Sequence, residues 1–321
     1  MACRAVLAAL SLLLLGGATA PMPVPRPAQP VVQQRPVAIR ASPVDLAAPE
    51  GAGVRVLSAH VLRADDPAFG GLSGLLVEPD GSGALLVSDR GTLFAVAFER
   101  REGRIDAAAR GRGWALRDTV GGPLVAAQED SEGLARLSDG VAIAFEGDHR
   151  IWRYQADWRR AAFVVPPEGI GRLGINSGIE ALARDAAGRL YAMPERSGAL
   201  DRPFPVWRGG ADGEGWETGR WPRRPPFLVT GADIGPDGRL YVLERDYGWL
   251  SGWAMRLSVA DVTDWPDFRP ETLVTWRRDG IDNMEGVSVW RTEAGELRAL
   301  LLSDDNFHPL QRTLLIELAL E

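Results

Sequence analysis

From Val54 onward the apolar positions fall in short runs such as LSGLLV, GALLV, GVAIAF, LYVL and ELRALLL, each bounded by glycine, aspartate, proline or asparagine. No stretch there sustains the 3.6-residue spacing of an amphipathic helix, and branched aliphatic runs of this length build strands. The runs come in pairs, separated by PDGSG, SDG, DAAG, PDG and EAG, which are turn sequences. The pattern predicts an all-β domain made of hairpins.

The hairpins resemble one another. GLSGLLVEPDGSGALLVSDRG from Gly71, DSEGLARLSDGVAIAFEGDHR from Asp130, NSGIEALARDAAGRLYAMPER from Asn176, TGADIGPDGRLYVLERD from Thr230 and NMEGVSVWRTEAGELRALLLSDDN from Asn283 share one plan. A small or acidic residue beside glycine leads into a strand, an Asp/Gly turn and a second strand, and then an acid often followed by arginine. Successive copies start roughly 50 residues apart, the repeat length of propeller blades with four strands each. Residues 54–321 leave room for five or six such blades, and the expectation is a six-bladed β-propeller whose most divergent blade spans Thr92 to Gln128. VRVLSAHVLR from Val54 and the terminal RTLLIELAL are predicted to pair in one blade, closing the ring without a free edge.

Upstream, residues 1–20 combine Arg4, an apolar run from Ala5 to Leu15 and Ala18-Thr19-Ala20, the layout of a secretory signal with an A-x-A cleavage site. The run is shorter than the roughly 20 apolar residues of a bilayer span, so no integral membrane segment is expected after cleavage. Residues 21–53, rich in proline, alanine and valine, read as an extended linker or arm. Cys3, the only cysteine, leaves with the signal, so the mature chain has no disulfide and must stand on its core. A periplasmic or secreted monomer is the resulting expectation. Composition is otherwise that of a soluble globular chain, and a net charge of −7 gives no global basic field for nucleic acid. All 36 basic residues are arginine, which removes Schiff-base and lysine-base chemistry.

The acids repeat in phase with the strands. In a propeller blade the inner strand leaves one face of the disc and the second strand returns to it. Residues before the first run and after the second should then share a rim: Glu132 with Glu146, Glu180 with Glu195, Asp233 with Glu244, Glu285 with Asp304, and Ser73 with Asp89. Clustered carboxylates raise one another's pKa unless a cation neutralises them. Oxygen ligands alone suit Ca2+, with Glu132, Glu180, Glu285, Glu195 and Glu244 as candidate ligands. A single acid at a strand end is more often solvated or paired with arginine, and it is the recurrence that points to a site.

Asp89, Glu146 and Asp304 are candidates to orient or deprotonate water. Arg90, Arg196 and Arg245, with His149 and His308, are candidates to bind an anionic substrate, although each arginine could equally pair with the acid beside it. His60, in the closing strand, reads as structural. The eleven tryptophans, including Trp152, Trp249 and Trp253, read as blade packing. No phosphate loop, dinucleotide fingerprint, zinc motif or nucleophile elbow is present.

SGLLVEPDGSGALLVSDRG, DSEGLARL, FEGDHRIWRY, NSGIEAL, GRLYVLERD and NMEGVSVW followed by LLLSDDNF resemble the phytase-like domain family labelled by an esterase-like activity of phytase, over nearly the whole chain from Leu57. The resemblance implies a six-bladed propeller exported by a bacterium. More remotely it is similar to the calcium-dependent propeller phytases, which cleave phosphomonoesters with water activated among metal ions. The positions matching the family's motifs are Asp89, Arg90, Glu132, Glu146, Glu180, Glu195, Glu244, Arg245, Glu285, Asp304 and Asp305. Propeller phytases set lysines as well as arginines on substrate phosphates, and this chain has none, which puts phytate itself in question. The expectation is a Ca2+-dependent hydrolase of small anionic phosphoesters or other esters. A non-catalytic ligand- or protein-binding propeller and a metal-dependent lactonase are the alternatives.

Overall fold

The computed structural model describes residues 34–46, 49, 53–174, 177–210, 213–277 and 280–321. The predicted signal and the first part of the predicted arm lie outside the described residues. Two short strands come first, β1 (Arg35–Val37) and β2 (Ile39–Pro43), followed by β3 (Val54–Ala64). The described part of the arm is therefore extended and hydrogen-bonded at two sheet edges, β1 along the first sheet and β2 along the last.

The first blade consists of β4 (Leu72–Val77), β5 (Gly83–Ser88), β6 (Thr92–Arg101) and β7 (Arg104–Ala115). The second holds β8 (Ser131–Arg136), β9 (Gly140–Phe145), β10 (Arg150–Gln155) and β11 (Ala161–Val164). In the third are β12 (Ile179–Arg184), β13 (Leu190–Pro194), β14 (Phe204–Gly209) and β15 (Glu217–Trp221). The fourth has β16 (Leu228–Ile234), β17 (Arg239–Gly248), β18 (Gly252–Asp261) and β19 (Glu271–Arg277). The last is built from β20 (Asn283–Arg291), β21 (Leu297–Asp304) and β22 (Thr313–Leu320), completed by β3 and β2.

The propeller thus has five blades and not the predicted six. Thr92 to Gln128 forms no blade of its own, because β6 pairs onto β5 and β7 onto β6, completing the first sheet. The wide spacing between the first two repeats is taken up by strand length, ten residues in β6 and twelve in β7. Closure follows the predicted device. β22 pairs antiparallel with β3 from Thr313↔Leu62 to Leu320↔Val54, so one blade joins both ends of the ring.

Five apolar cores fill the five seams between neighbouring blades. Tyr241, Met255 and Trp276 of the fourth blade pack with Met284 and Ile316 of the fifth, and Trp290 and Leu300 of the fifth pack with Leu86 and Phe94 of the first. The remaining seams are filled in the same way, around Phe145, Ile179 and Trp221. A fully buried Leu, Val or Phe contributes about 1.5–3 kcal/mol over an exposed one, so these seams are the main stabilising term of a chain without staples.

The inner strands β4, β8, β12, β16 and β20 touch in that cyclic order around the channel. Each carries a β-bulge at the same phase, and the bulged residues are Ser73, Glu132, Glu180, Thr230 and Glu285. A bulge adds one residue opposite the partner strand and re-aims its side chain. In four blades the next residue is glycine for a steric reason. A Cβ at Gly74 would lie 2.5 Å from the carbonyl oxygen of Glu132, and one at Gly231 would lie 2.5 Å from that of Glu285. The recurring SG, EG and TG pairs are therefore a bulged side chain followed by the backbone contact that keeps the channel narrow.

Candidate functional site

The bulges place Ser73, Glu132, Glu180, Thr230 and Glu285 at one level of the channel. Ser73, Glu180 and Glu285 line a central void of about 10 Å³, room for roughly one water-sized sphere. A second set of residues stands where the second strand of each blade returns: Asp89, Glu146, Glu195, Arg245 and Asp304. Backbone bonds fix this level. The N–H of Asp89 donates to Gly71 O at 2.7 Å, that of Glu146 to Asp130 O at 2.8 Å, and that of Glu195 to Gly178 O at 3.2 Å. Ladder pairs Arg245↔Leu228 and Asp304↔Asn283 do the same in the last two blades.

Burial and mutual repulsion dominate the electrostatics of these two rings. Glu132 is pushed well above the ordinary carboxyl range, first by burial and then by Glu180, Asp130, Glu285 and Glu146. Glu180 shifts the same way, by burial and then Glu285, Glu146 and Glu195, with Arg245 opposing. Burial also drives Glu285 up to about 8 against the pull of Arg245, and Asp304 up to about 7 against the N–H of Asn306. Glu146 rises to about 7, again mainly by burial, although Gly178 N–H donates to its Oε1 at 2.8 Å.

Arg245 is the cation among these acids. Its guanidinium lies 2.9 Å from Glu285 and 3.4 Å from Glu195 and also donates to the Asn283 side chain. Burial alone would lower its pKa, and the surrounding carboxylates outweigh that and raise it. Asn283 Nδ2 donates to Glu285 Oε1 at 2.9 Å, which leaves Glu285 Oε2 buried and without a partner. Beside this pair, Asp130, Glu132 and Glu146 each offer a carboxylate oxygen, and the three oxygens lie within 4.8 Å of one another. Converging carboxylate oxygens, one of them orphaned, are the ligand type a hard cation accepts, whereas the single guanidinium offsets only part of their charge.

A family model of phytase-like domains, described as "Esterase-like activity of phytase", matches residues 67–307. The chain belongs to this phytase-like family. The phytase-like chain also has weak likenesses among solved structures. One is the luciferin-regenerating enzyme (TM-score 0.42, 11% identity, covering 86% of this chain and 95% of that one). Another is the alpha-L-arabinofuranosidase PaAbf62A from Podospora anserina (TM-score 0.48, 10% identity, 88% and 98% covered). A third is U3-55K (TM-score 0.40, 12% identity, 85% and 100% covered). No curated protein sequence matches it.

Within the phytase-like propeller, Glu132, Glu180, Glu285, Glu195, Glu146, Asp304 and Asp89 belong to the two rings, but Glu244 does not. Arg245 occupies the return position of the fourth blade, so Glu244, one residue earlier, points to the other side of the strand. There it is fully buried between Arg256, which donates to both its oxygens at 2.7 and 2.8 Å, and Arg224 at 3.4 Å. Asp233 is likewise displaced. It pairs with Tyr241 near the turn end of β16 and accepts from Ser288 Oγ and Val289 N–H, and Thr230 holds the bulge position in its place.

The predicted anion-binding side chains are largely engaged by the protein itself. Arg196 donates to Glu195 at 2.7 Å, Arg90 stacks 3.3 Å over the Phe307 ring, and Arg245 serves the acids. Asp305 accepts from Gly71 and Phe307 N–H and from Thr313, latching the last blade to the first. His149 Nε2 contacts Gly174 O at 3.0 Å, and His308 Nδ1 accepts Leu310 N–H at 3.3 Å, both in loops of the rim face. His60 is buried in β3. Trp152 is core, but Trp249 is 86% exposed at the tip of the β17–β18 hairpin and packs no blade. Asp130, Thr230 and Asn283 were not singled out in the sequence. Asp130 stands two residues before Glu132, the alternation of a strand, and that spacing was the available signal.

Proposed function

We propose that this phytase-like propeller is a metal-dependent ester hydrolase whose carboxylate rings take up Ca2+. The carrying observation is the excess of converging carboxylates over cations at the mouth: the Asp130, Glu132 and Glu146 oxygens within 4.8 Å of one another, and Glu285 Oε2 buried without a partner. Glu132 and Asp130 would hold the ion, with Glu180 and Glu285 supporting it from the channel and Glu146 beside it to orient water. A cation so held supplies positive charge that polarises an ester oxygen.

The chain's own residues supply proton handling. Glu146, at about 7, has Oε1 occupied by Gly178 N–H, so its other oxygen is the one to exchange a proton near neutral pH. Asp304, also at about 7, has Oδ1 occupied by Asn306 N–H and keeps Oδ2 for the same work. Asp89 stands at the equivalent return position of the first blade.

The engaged arginines narrow the substrate class. A densely phosphorylated ring needs many free guanidinium groups, and those of Arg245 and Arg196 are spent on Glu285 and Glu195. Beside the mouth, Tyr247, Trp249 and Leu250 are 58%, 86% and 83% exposed. This combination favours a small ester with one anionic or neutral head and an apolar or aromatic group. The signal-like N-terminal segment supports action outside the cytoplasm.

A panel of aryl phosphates, aryl carboxylic esters and lactones, assayed with Ca2+ and with chelator on the native chain and on Glu180→Gln, tests this reading. Turnover that follows Ca2+ and is lost in the variant supports it. Chelator that lowers the melting temperature with no turnover on any ester would replace it with a non-catalytic platform.

A further inference from the structure

The channel's other mouth carries a separate cavity of about 820 Å³, within the size range of small-molecule sites. All five blades contribute to it through their hairpin turns or the strand ends beside them, with Pro79, Leu137, Ala186, Pro236 and Trp290 giving it apolar walls. It lies on the face opposite the acidic rings: Glu180 and Arg184 are four residues apart on β12, about 13 Å of strand.

The charge balance here is reversed. Each aspartate of the cavity already has partners inside the protein. Asp185 accepts from Arg189 and Tyr191, Asp237 from Arg239 and Tyr241, and Asp233 from Ser288 and Val289. Arg136 is shared with Glu78 at 3.2 Å and the Val77 carbonyl. Arg184 is different: its Nε is buried without a hydrogen-bond partner, and among the described residues it has no carboxylate partner. A guanidinium left with donors to spare in a half-apolar cavity is an oxyanion receptor.

We propose that this cavity is a second ligand site, taking a small oxyanion with an apolar body, its head on Arg184 and Arg136 and its body against the walls. The site needs no metal and is independent of chemistry at the acidic mouth.

Phenylphosphonate is a suitable probe, since it presents an oxyanion on an aromatic ring through a bond that ester hydrolysis does not touch. Titration calorimetry on the full chain in chelator should show one bound probe. Arg184→Gln should weaken binding about 10-fold to 100-fold, the loss of one charge-assisted contact. Arg184→Lys should recover part of the loss, while Glu285→Gln should leave the affinity within about two-fold. Melting of each variant without probe separates misfolding from lost recognition. No binding by the native chain, equal affinity in a folded Arg184→Gln, or a dependence on Glu285 would each overturn the assignment.

Discussion

Replacing Arg245 by methionine isolates the electrostatics of the acidic mouth, because methionine keeps most of the volume and removes the charge. Arg245 stands 2.9 Å from Glu285 and 3.4 Å from Glu195, whose side chains are 7% and 9% exposed. Removing one partner of a buried pair costs about 3–5 kcal/mol, since the other charge is left uncompensated. That cost depends on the carboxylates being ionised. With Glu285 at about 8 and Asp304 at about 7, both are protonated at pH 5, and Arg245 then has fewer carboxylates to neutralise. At pH 9 they are ionised and the full cost applies. Guanidinium-chloride unfolding of the native chain and Arg245→Met at both pH values, in chelator, reads the difference. A loss of about 3–5 kcal/mol at pH 9 that is clearly smaller at pH 5 is expected, and saturating Ca2+ should recover part of it at pH 9. An equal loss at the two pH values would refute the reasoning, because it would mean that Arg245 acts by packing and not by charge.

Other consequences follow from the same geometry. The native state holds protons on Glu285, Asp304 and Glu146 that the unfolded chain has already released, so metal-free stability should fall as pH rises from about 5 to 8. The slope should approach about 1.4 kcal/mol per pH unit per titrating carboxyl, and Ca2+ should flatten the melting-temperature profile. Glu244→Gln should cost about 3–5 kcal/mol by stranding buried Arg256, while calcium content by elemental analysis stays unchanged. Gly231→Ala should destabilise by about 1–3 kcal/mol in denaturant titrations, as its methyl group meets the Glu285 carbonyl. Trp249→Ala should leave unfolding within about 0.5 kcal/mol of the native chain, since the ring packs no core, while KM for aryl esters rises.

Much of the site could be read from the repeat. Glu132, Glu180 and Glu285 precede glycine or alanine at the head of an apolar run, and all three occupy the bulge position. Reading failed in the fourth blade. Leu-Glu-Arg-Asp at residues 243–246 offers two acids around an arginine, and only the ladder Val229↔Glu244 shows that Arg245 holds the return position. Because successive side chains alternate between faces, an error of one residue moved Glu244 from the mouth into an ion pair with Arg256. Thr230 was passed over because Asp233, three residues further along the same run, offered a carboxylate, and only the bulge between Val229 and Gly231 shows which residue enters the channel.

The chain's own pattern determined the class of the protein: short paired runs with Asp/Gly turns dictate hairpins, their recurrence dictates a propeller, and phased acids dictate an acidic mouth. The number of blades, the place of each acid and the second cavity were decided only in three dimensions. A repeat period measures the distance between inner strands and leaves open how many outer strands each sheet recruits, so β6 and β7 could complete one blade where two were predicted. Charge balance is equally non-local. Arg245 within β17 and Arg184 at the end of β12 are the same residue type, and it is the neighbouring blades that surround one with carboxylates and leave the other without an acidic partner among the described residues.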